Sequence, residues 1–277
     1  MHASADLDVR EIDFSEQQGG PQKVVVVVPR WGDAGDRLPL LIALLGRGES
    51  NHGLAVGAWG WVRDYWLDRA MLALRQGSVS AAALGNITNE SHLNRLNAAL
   101  AAHPFRGIAV ACPYTPDILS TDSLDAAEQF ADFVERWMLP RLRAELPIET
   151  TRAATGIDGV SLGGRVALLT GSSRPALFGA IGTLQAAVRA REIGAMAERL
   201  TGAIRSAPGP LPLRILTSDA DPFRPALHDL SESLRSNSVP CSYEVIAGPH
   251  DYAFNRGPGA VEMLLWHDRV LRGEPPP

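Results

Sequence analysis

Apolar and polar positions follow two rhythms along this chain. From Leu7 to Phe14 they alternate strictly (L-D-V-R-E-I-D-F), which predicts a half-exposed strand at a sheet edge. Val24 to Val28 is five valines in a row, a strongly β-forming run with no polar face, so it predicts a buried strand. Leu38 to Leu45 is a second such run. The turn between them, Arg30 to Arg37, holds two glycines, and the spacing predicts a hairpin of these two strands. Further short apolar runs lie at Gly107 to Cys112, Ala153 to Val160, Phe178 to Leu184, Leu213 to Thr217 and Ser242 to Ile246.

Helical periodicity fills the intervals. It covers Val62 to Leu74, His92 to Ala102 behind the cap candidates Asn89 and Ser91, and Ser123 to Leu146, where Pro140 predicts a kink or break. It returns at Arg165 to Thr170, Val188 to Ile204, Pro225 to Ser236 and Gly259 to Leu271. Short strands alternating with helices predict an eight-stranded, mainly parallel sheet covered by helices on both faces. The expected organisation is one α/β domain over residues 1–277, with an excursion at about 50–106.

Composition narrows the class. The 277 residues are 45% hydrophobic and 21% charged, ordinary for a globular protein with a sizeable core. A net charge of −5 with no basic run argues against nucleic acid or an anionic membrane as partner. No run reaches the ~18 apolar residues of a membrane span, and the N-terminus is polar and acidic, so a cytoplasmic location is expected. Cys112 and Cys241 form no metal or redox motif and are expected to be reduced.

The chemistry-bearing stretch is Gly159-Val160-Ser161-Leu162-Gly163-Gly164, a G-x-S-x-G elbow between a predicted strand and a predicted helix. The turn puts Ser161 at its apex, and side chains at positions 159 and 163 would collide with neighbouring elements. Serine becomes a useful nucleophile when a base takes its proton, and an imidazole suits that role near neutral pH. An acid must then orient the imidazole. In α/β sheets such groups lie past the carboxyl ends of strands. His250, in Gly248-Pro249-His250-Asp251-Tyr252, alone of the seven histidines follows a predicted strand in a tight turn. The acid comes from Ser218-Asp219-Ala220-Asp221-Pro222-Phe223. Asp221 is favoured there, with Asp219 as the alternative, whereas Asp251 is read as a surface or helix-start residue.

Two backbone donors are needed for the oxyanion of a tetrahedral intermediate. Leu162 N–H, directly after the nucleophile, is one. Arg47 N–H, in the glycine-flanked exit Gly46-Arg47-Gly48, is the other. Trp59, Trp61, Tyr65 and Trp66 cluster just beyond that exit, and Trp59 and Trp61 are candidates to wall a substrate pocket, as is Tyr114 at another strand end. Aromatic anchoring of the excursion to the core is the competing reading.

These residues resemble the α/β-hydrolase superfamily, and within it the esterase branch with esterase D-type and feruloyl or acetyl-xylan esterase-like enzymes. The resemblance rests on L-P-L-L-I-A-L-L-G-R-G-E, G-V-S-L-G-G-R-V-A-L, S-D-A-D-P-F and G-P-H-D-Y-A-F-N, and spans about Val24 to Leu271. It implies the α/β-hydrolase fold, a small-molecule ester substrate, and serine catalysis without metal or cofactor. It places the nucleophile on Ser161, the base on His250 and the acid on Asp221. It also implies strands that keep Cys112 and Cys241 apart. One departure stands out: many members of the branch have His-Gly where this chain has Leu45-Gly46. Acyl transfer or peptide cleavage by the same residues, or a binding module on the same fold, are the alternatives to ester hydrolysis.

Overall fold

The computed structural model describes residues 5–15, 19–32 and 35–277. Residues 1–4 with His2, residues 16–18 and part of the turn predicted at 30–37 lie outside the described residues. Eight strands form one sheet: β1 (Leu7–Phe14), β2 (Gln22–Pro29), β3 (Leu40–Leu44), β4 (Ala109–Pro113), β5 (Thr155–Gly159), β6 (Ala180–Leu184), β7 (Leu213–Ser218) and β8 (Cys241–Ile246). Their spatial order is β1-β2-β4-β3-β5-β6-β7-β8. β1 and β2 are antiparallel, from Leu7 opposite Pro29 to Phe14 opposite Gln22, and β2 is antiparallel to β4. From β4 to β8 every pair is parallel.

The hairpin expected between the two buried runs is not formed. β4 inserts between β2 and β3, and β2 makes its hairpin with the amphipathic β1 instead. Uniform burial marks a strand as central without naming its neighbours, so the pattern leaves the pairing open. The five valines show why the run has no polar face. Val24, Val26 and Val28 pack into the core on one side of the sheet, and Val25 and Val27 into the core on the other. Each buried valine contributes roughly 1.5–3 kcal/mol relative to exposure.

Two predicted helices are interrupted. The stretch from 62 to 74 is split into Gly60–Arg63 and Leu67–Arg75, because Trp66 adopts a left-handed conformation with φ 56° between them. The long helix before β5 runs as Glu128–Phe133, a π-helical turn Val134–Met138, and Leu139–Glu145. The wide turn directly precedes Pro140, whose missing N–H and ring disrupt a regular α-helical ladder. No helix among the described residues is long and apolar enough to cross a membrane. Both cysteines are free, Cys112 on β4 and Cys241 on β8.

The helix Ala260–Val270 packs a band of buried polar groups against the sheet. Arg214 on β7 reaches Glu262 with Nη1 at 3.3 Å from Oε2, and its Nη2 donates to the Glu262 carbonyl at 3.1 Å. His92 and Arg95 meet the other carboxylate oxygen. Burial opposes the charge on Glu262, yet the His92 hydrogen bond and the Arg214 and Arg95 guanidinium groups hold its carboxyl below the ordinary value.

Nearby, His267 Nε2 is 3.0 Å from Asp158 Oδ2, with both side chains fully buried. Burial lowers the His267 pKa in spite of Asp158, so the ring is neutral and donates Nε2–H, leaving Nδ1 without a partner. A histidine that titrates lower folded than unfolded contributes stability above its unfolded value near 6.5, and that stability is lost as pH falls below it. Thermal melts of the wild type should therefore show Tm declining from pH 7 to pH 5. In His267→Gln that part of the slope should vanish.

Candidate active site

Ser161 lies between β5 and the helix Leu162–Ser173, with φ 55° and ψ −113°. A positive φ is strained for a residue with a Cβ, and the surroundings hold it there. Ser161 N–H donates to the Leu184 carbonyl at 2.9 Å, and the Ser161 carbonyl accepts Ala187 N–H at 2.9 Å. The flanking glycines answer to close approach. A Cβ on Gly159 would lie 2.5 Å from the Gly163 carbonyl, and one on Gly163 would lie 2.3 Å from the Leu44 carbonyl oxygen.

β7 and β8 deliver the other two groups. His250 Nε2 is 3.1 Å from Ser161 Oγ, and His250 Nδ1 is 2.8 Å from Asp221 Oδ1. The Asp221 carboxylate is buried and fully engaged. Oδ1 also accepts Phe223 N–H at 3.0 Å, and Oδ2 accepts the Thr217 hydroxyl at 2.5 Å. Asp219 holds backbone rather than the imidazole. Its Oδ1 accepts Gly248 N–H at 2.9 Å and so fastens the turn that carries the histidine. Asp251 caps the short helix Tyr252–Phe254. Phe223 stands edge-on to the imidazole, ring centroids 5.5 Å apart.

The strand exit after β3 is a single helical turn, Arg47–Ser50, where an open loop was expected. Arg47 N–H and Leu162 N–H are each the first amide of a helix, where no intrahelical acceptor exists. Neither has an acceptor among the described residues. Gly46 and Gly163 bring the two turns together: Cβ atoms there would meet Val160 Cγ1 at 3.8 Å and the Leu45 carbonyl oxygen at 2.7 Å. The Arg47 side chain points to Asp117, Nε to Oδ2 2.9 Å.

Of the three aromatic candidates, Trp61 is buried away from any pocket, and the polar tips of Trp59 and Tyr114 are engaged by the protein itself. Trp61 is fully buried and stacks edge-on against Tyr65 at 5.0 Å. Trp59 donates its indole N–H to Glu11 on β1, at the sheet edge. Tyr114 spends its hydroxyl on the Ser50 carbonyl at 2.9 Å. They anchor the excursion to the core and support the turn after β3, as apolar rings with one polar tip commonly do. A cavity of about 1290 Å³ lies elsewhere in the molecule. It opens at the amino ends of the strands, lined by Pro39, Ala153, Gly179, Leu213 and Cys241, opposite the serine.

Gln185 carries no signal in the sequence, yet it belongs to the site. It ends β6 with φ 49°, is fully buried, and donates Nε2–H to Ser218 Oγ at 2.6 Å and to the Pro249 carbonyl at 2.9 Å. It thereby ties the end of β7 to the residue before His250. A single glutamine after a strand forms no motif that would mark it. Arg165 is likewise unmarked. Fully buried in the elbow helix, it pairs through both nitrogens with Glu192, Nη2 to Oε1 2.9 Å, and fixes that helix to the segment after β6.

Residues 118–220 match the family model described as "Putative esterase". No curated protein matches the chain in sequence. Among solved structures, a ferulic acid esterase superposes with a TM-score of 0.67 at 15% identity, over 96% of this chain and 99% of that one. S-formylglutathione hydrolase from Staphylococcus aureus gives 0.64 at 15% identity, over 95% and 97%. The feruloyl esterase module from Clostridium thermocellum gives 0.65 at 12%, over 94% and 87%. The strand order and these likenesses show the α/β-hydrolase fold. The central stretch, residues 118–220, is in addition similar in sequence to the esterase family.

Proposed function

We propose that the protein hydrolyses a small-molecule carboxylic ester through Ser161, His250 and Asp221. The observation that carries this is the continuous relay Ser161 Oγ–His250 Nε2–Asp221 Oδ1, at 3.1 and 2.8 Å, on a strained elbow. Ser161 Oγ attacks the ester carbonyl while His250 Nε2 takes its proton. Asp221 holds the ring with Nδ1–H toward itself and stabilises the imidazolium. Leu162 N–H and Arg47 N–H donate to the oxyanion, where charge develops. The intermediate collapses, the C–O bond to the alcohol breaks, and His250 returns the proton to the leaving oxygen. Water then attacks the acyl-enzyme, giving His250 its proton. The second collapse releases the acid, and Ser161 Oγ recovers its hydrogen.

Hydrolysis of p-nitrophenyl acetate, butyrate and octanoate, with fluorophosphonate labelling mapped to a peptide, tests the reading. Turnover and a label on Ser161 are expected; a folded protein with neither would refute it. Asp221→Asn should fold normally and lower kcat about 10⁴-fold, because the amide favours the wrong imidazole tautomer. Retained activity in that variant would move the acid to another residue.

A further inference from the structure

An oxyanion donor is useful only if its backbone is held still before the substrate arrives. The turn after β3 is short and glycine-rich, so its rigidity must come from outside. Leu45 N–H donates to Thr115 Oγ1 at 3.0 Å, and Gly46 N–H donates to the Tyr65 hydroxyl at 3.2 Å. That same hydroxyl donates to Glu49 Oε2. Glu49 is only 1% exposed although it belongs to a turn at the reaction centre. The chain makes room for it with glycines. A Cβ on Gly60 would lie 2.5 Å from Glu49 Cγ, one on Gly57 2.3 Å from the Glu49 carbonyl oxygen, and one on Gly46 2.8 Å from the Tyr65 hydroxyl.

Burying a carboxylate is costly, and an apolar side chain would serve packing alone better. This one touches the loop of the base as well. Tyr252, two residues after His250, lays its ring 5.8 Å from that of Tyr65, and its hydroxyl is 3.1 Å from where a Gly48 Cβ would stand. Glu49 beside it pushes the Tyr252 phenol up to about 12. We propose that Glu49, acting through the Tyr65 hydroxyl, is the positioning carboxylate of the oxyanion turn, holding Gly46 and therefore the Arg47 N–H in register with Ser161. The inference rests on the serine-hydrolase reading above. It assigns to Tyr65 and Glu49 an effect on the transition state alone, since both are buried beneath the turn.

Tyr65→Phe removes the acceptor of Gly46 N–H and keeps the ring. A donor displaced by about 1 Å costs on the order of 10²-fold, so kcat on p-nitrophenyl butyrate should fall about 30- to 100-fold with KM within about twofold of wild type. Glu49→Gln leaves a neutral, weaker acceptor for Tyr65, and its kcat should fall between those of wild type and Tyr65→Phe. Amide hydrogen exchange at Gly46, followed by NMR, should accelerate in the order wild type, Glu49→Gln, Tyr65→Phe. A folded Tyr65→Phe with unchanged kcat and unchanged Gly46 exchange would overturn the assignment, as would a loss carried by KM alone. If Tyr65→Phe does not fold, Glu49→Gln decides by the same two readouts. A wild type without turnover or label would refute the ester reading instead, and Gly46 exchange would still accept or reject the clamp.

Discussion

Ser161→Ala is expected to lower kcat by about 10⁶-fold and to leave the fold intact. In the proposed mechanism the hydroxyl is the atom that bonds to the substrate, and no neighbour is placed to replace it. Cys112, the other conceivable nucleophile, is fully buried on β4, and burial pushes its thiol far above the ordinary range, so no thiolate is available. The exchange of CH₂OH for CH₃ removes one hydrogen bond to His250 and adds no bulk at a position whose φ of 55° already admits a Cβ. Melting temperature should thus hold within a degree or two while fluorophosphonate labelling disappears. His250→Ala should cost nearly as much, and the double variant little more than either single one, because in the proposed mechanism the two residues act as one device. Additive losses would mean that the pair is not coupled as the 3.1 Å contact requires.

The largest effect on stability is expected from Glu262→Leu. Its carboxylate faces Arg214, and both side chains are completely buried. Removing one partner of such a pair leaves an uncompensated charge and costs about 3–5 kcal/mol. For a chain of this size that corresponds to a Tm lower by about 10 °C. Arg214 would keep only its hydrogen bond to the residue 262 backbone carbonyl and the face of Trp266, 4.9 Å away. The double variant Arg214→Met, Glu262→Leu should recover a good part of the loss, since apolar residues of similar volume suit the site. His92 and Arg95 would still have lost their acceptor. Urea unfolding of the two variants checks this, and a double variant no more stable than Glu262→Leu would show that the charge of Arg214 was not the cost.

Much of this protein was legible along the chain. The two apolar rhythms located all eight strands, because a strand must bury its side chains and a helix shows one face per turn. G-x-S-x-G named Ser161 because only glycine tolerates the contacts that the elbow makes. The turns after β7 and β8 named Asp221 and His250 as its candidate partners, and the three side chains lie in one chain of hydrogen bonds.

Other features were decided only in three dimensions. The insertion of β4 between β2 and β3, the choice of Asp221 over Asp219 as the residue facing the imidazole, and the burial of Trp61 depend on which elements become neighbours. Residues such as Gln185, Glu49 and Tyr65 show the same limit. Their partners lie 16 to 64 positions away. Local sequence encodes which faces are apolar and where the backbone must turn sharply. A polar side chain meets its partner only through packing of the whole sheet, and that is where this site acquires its geometry.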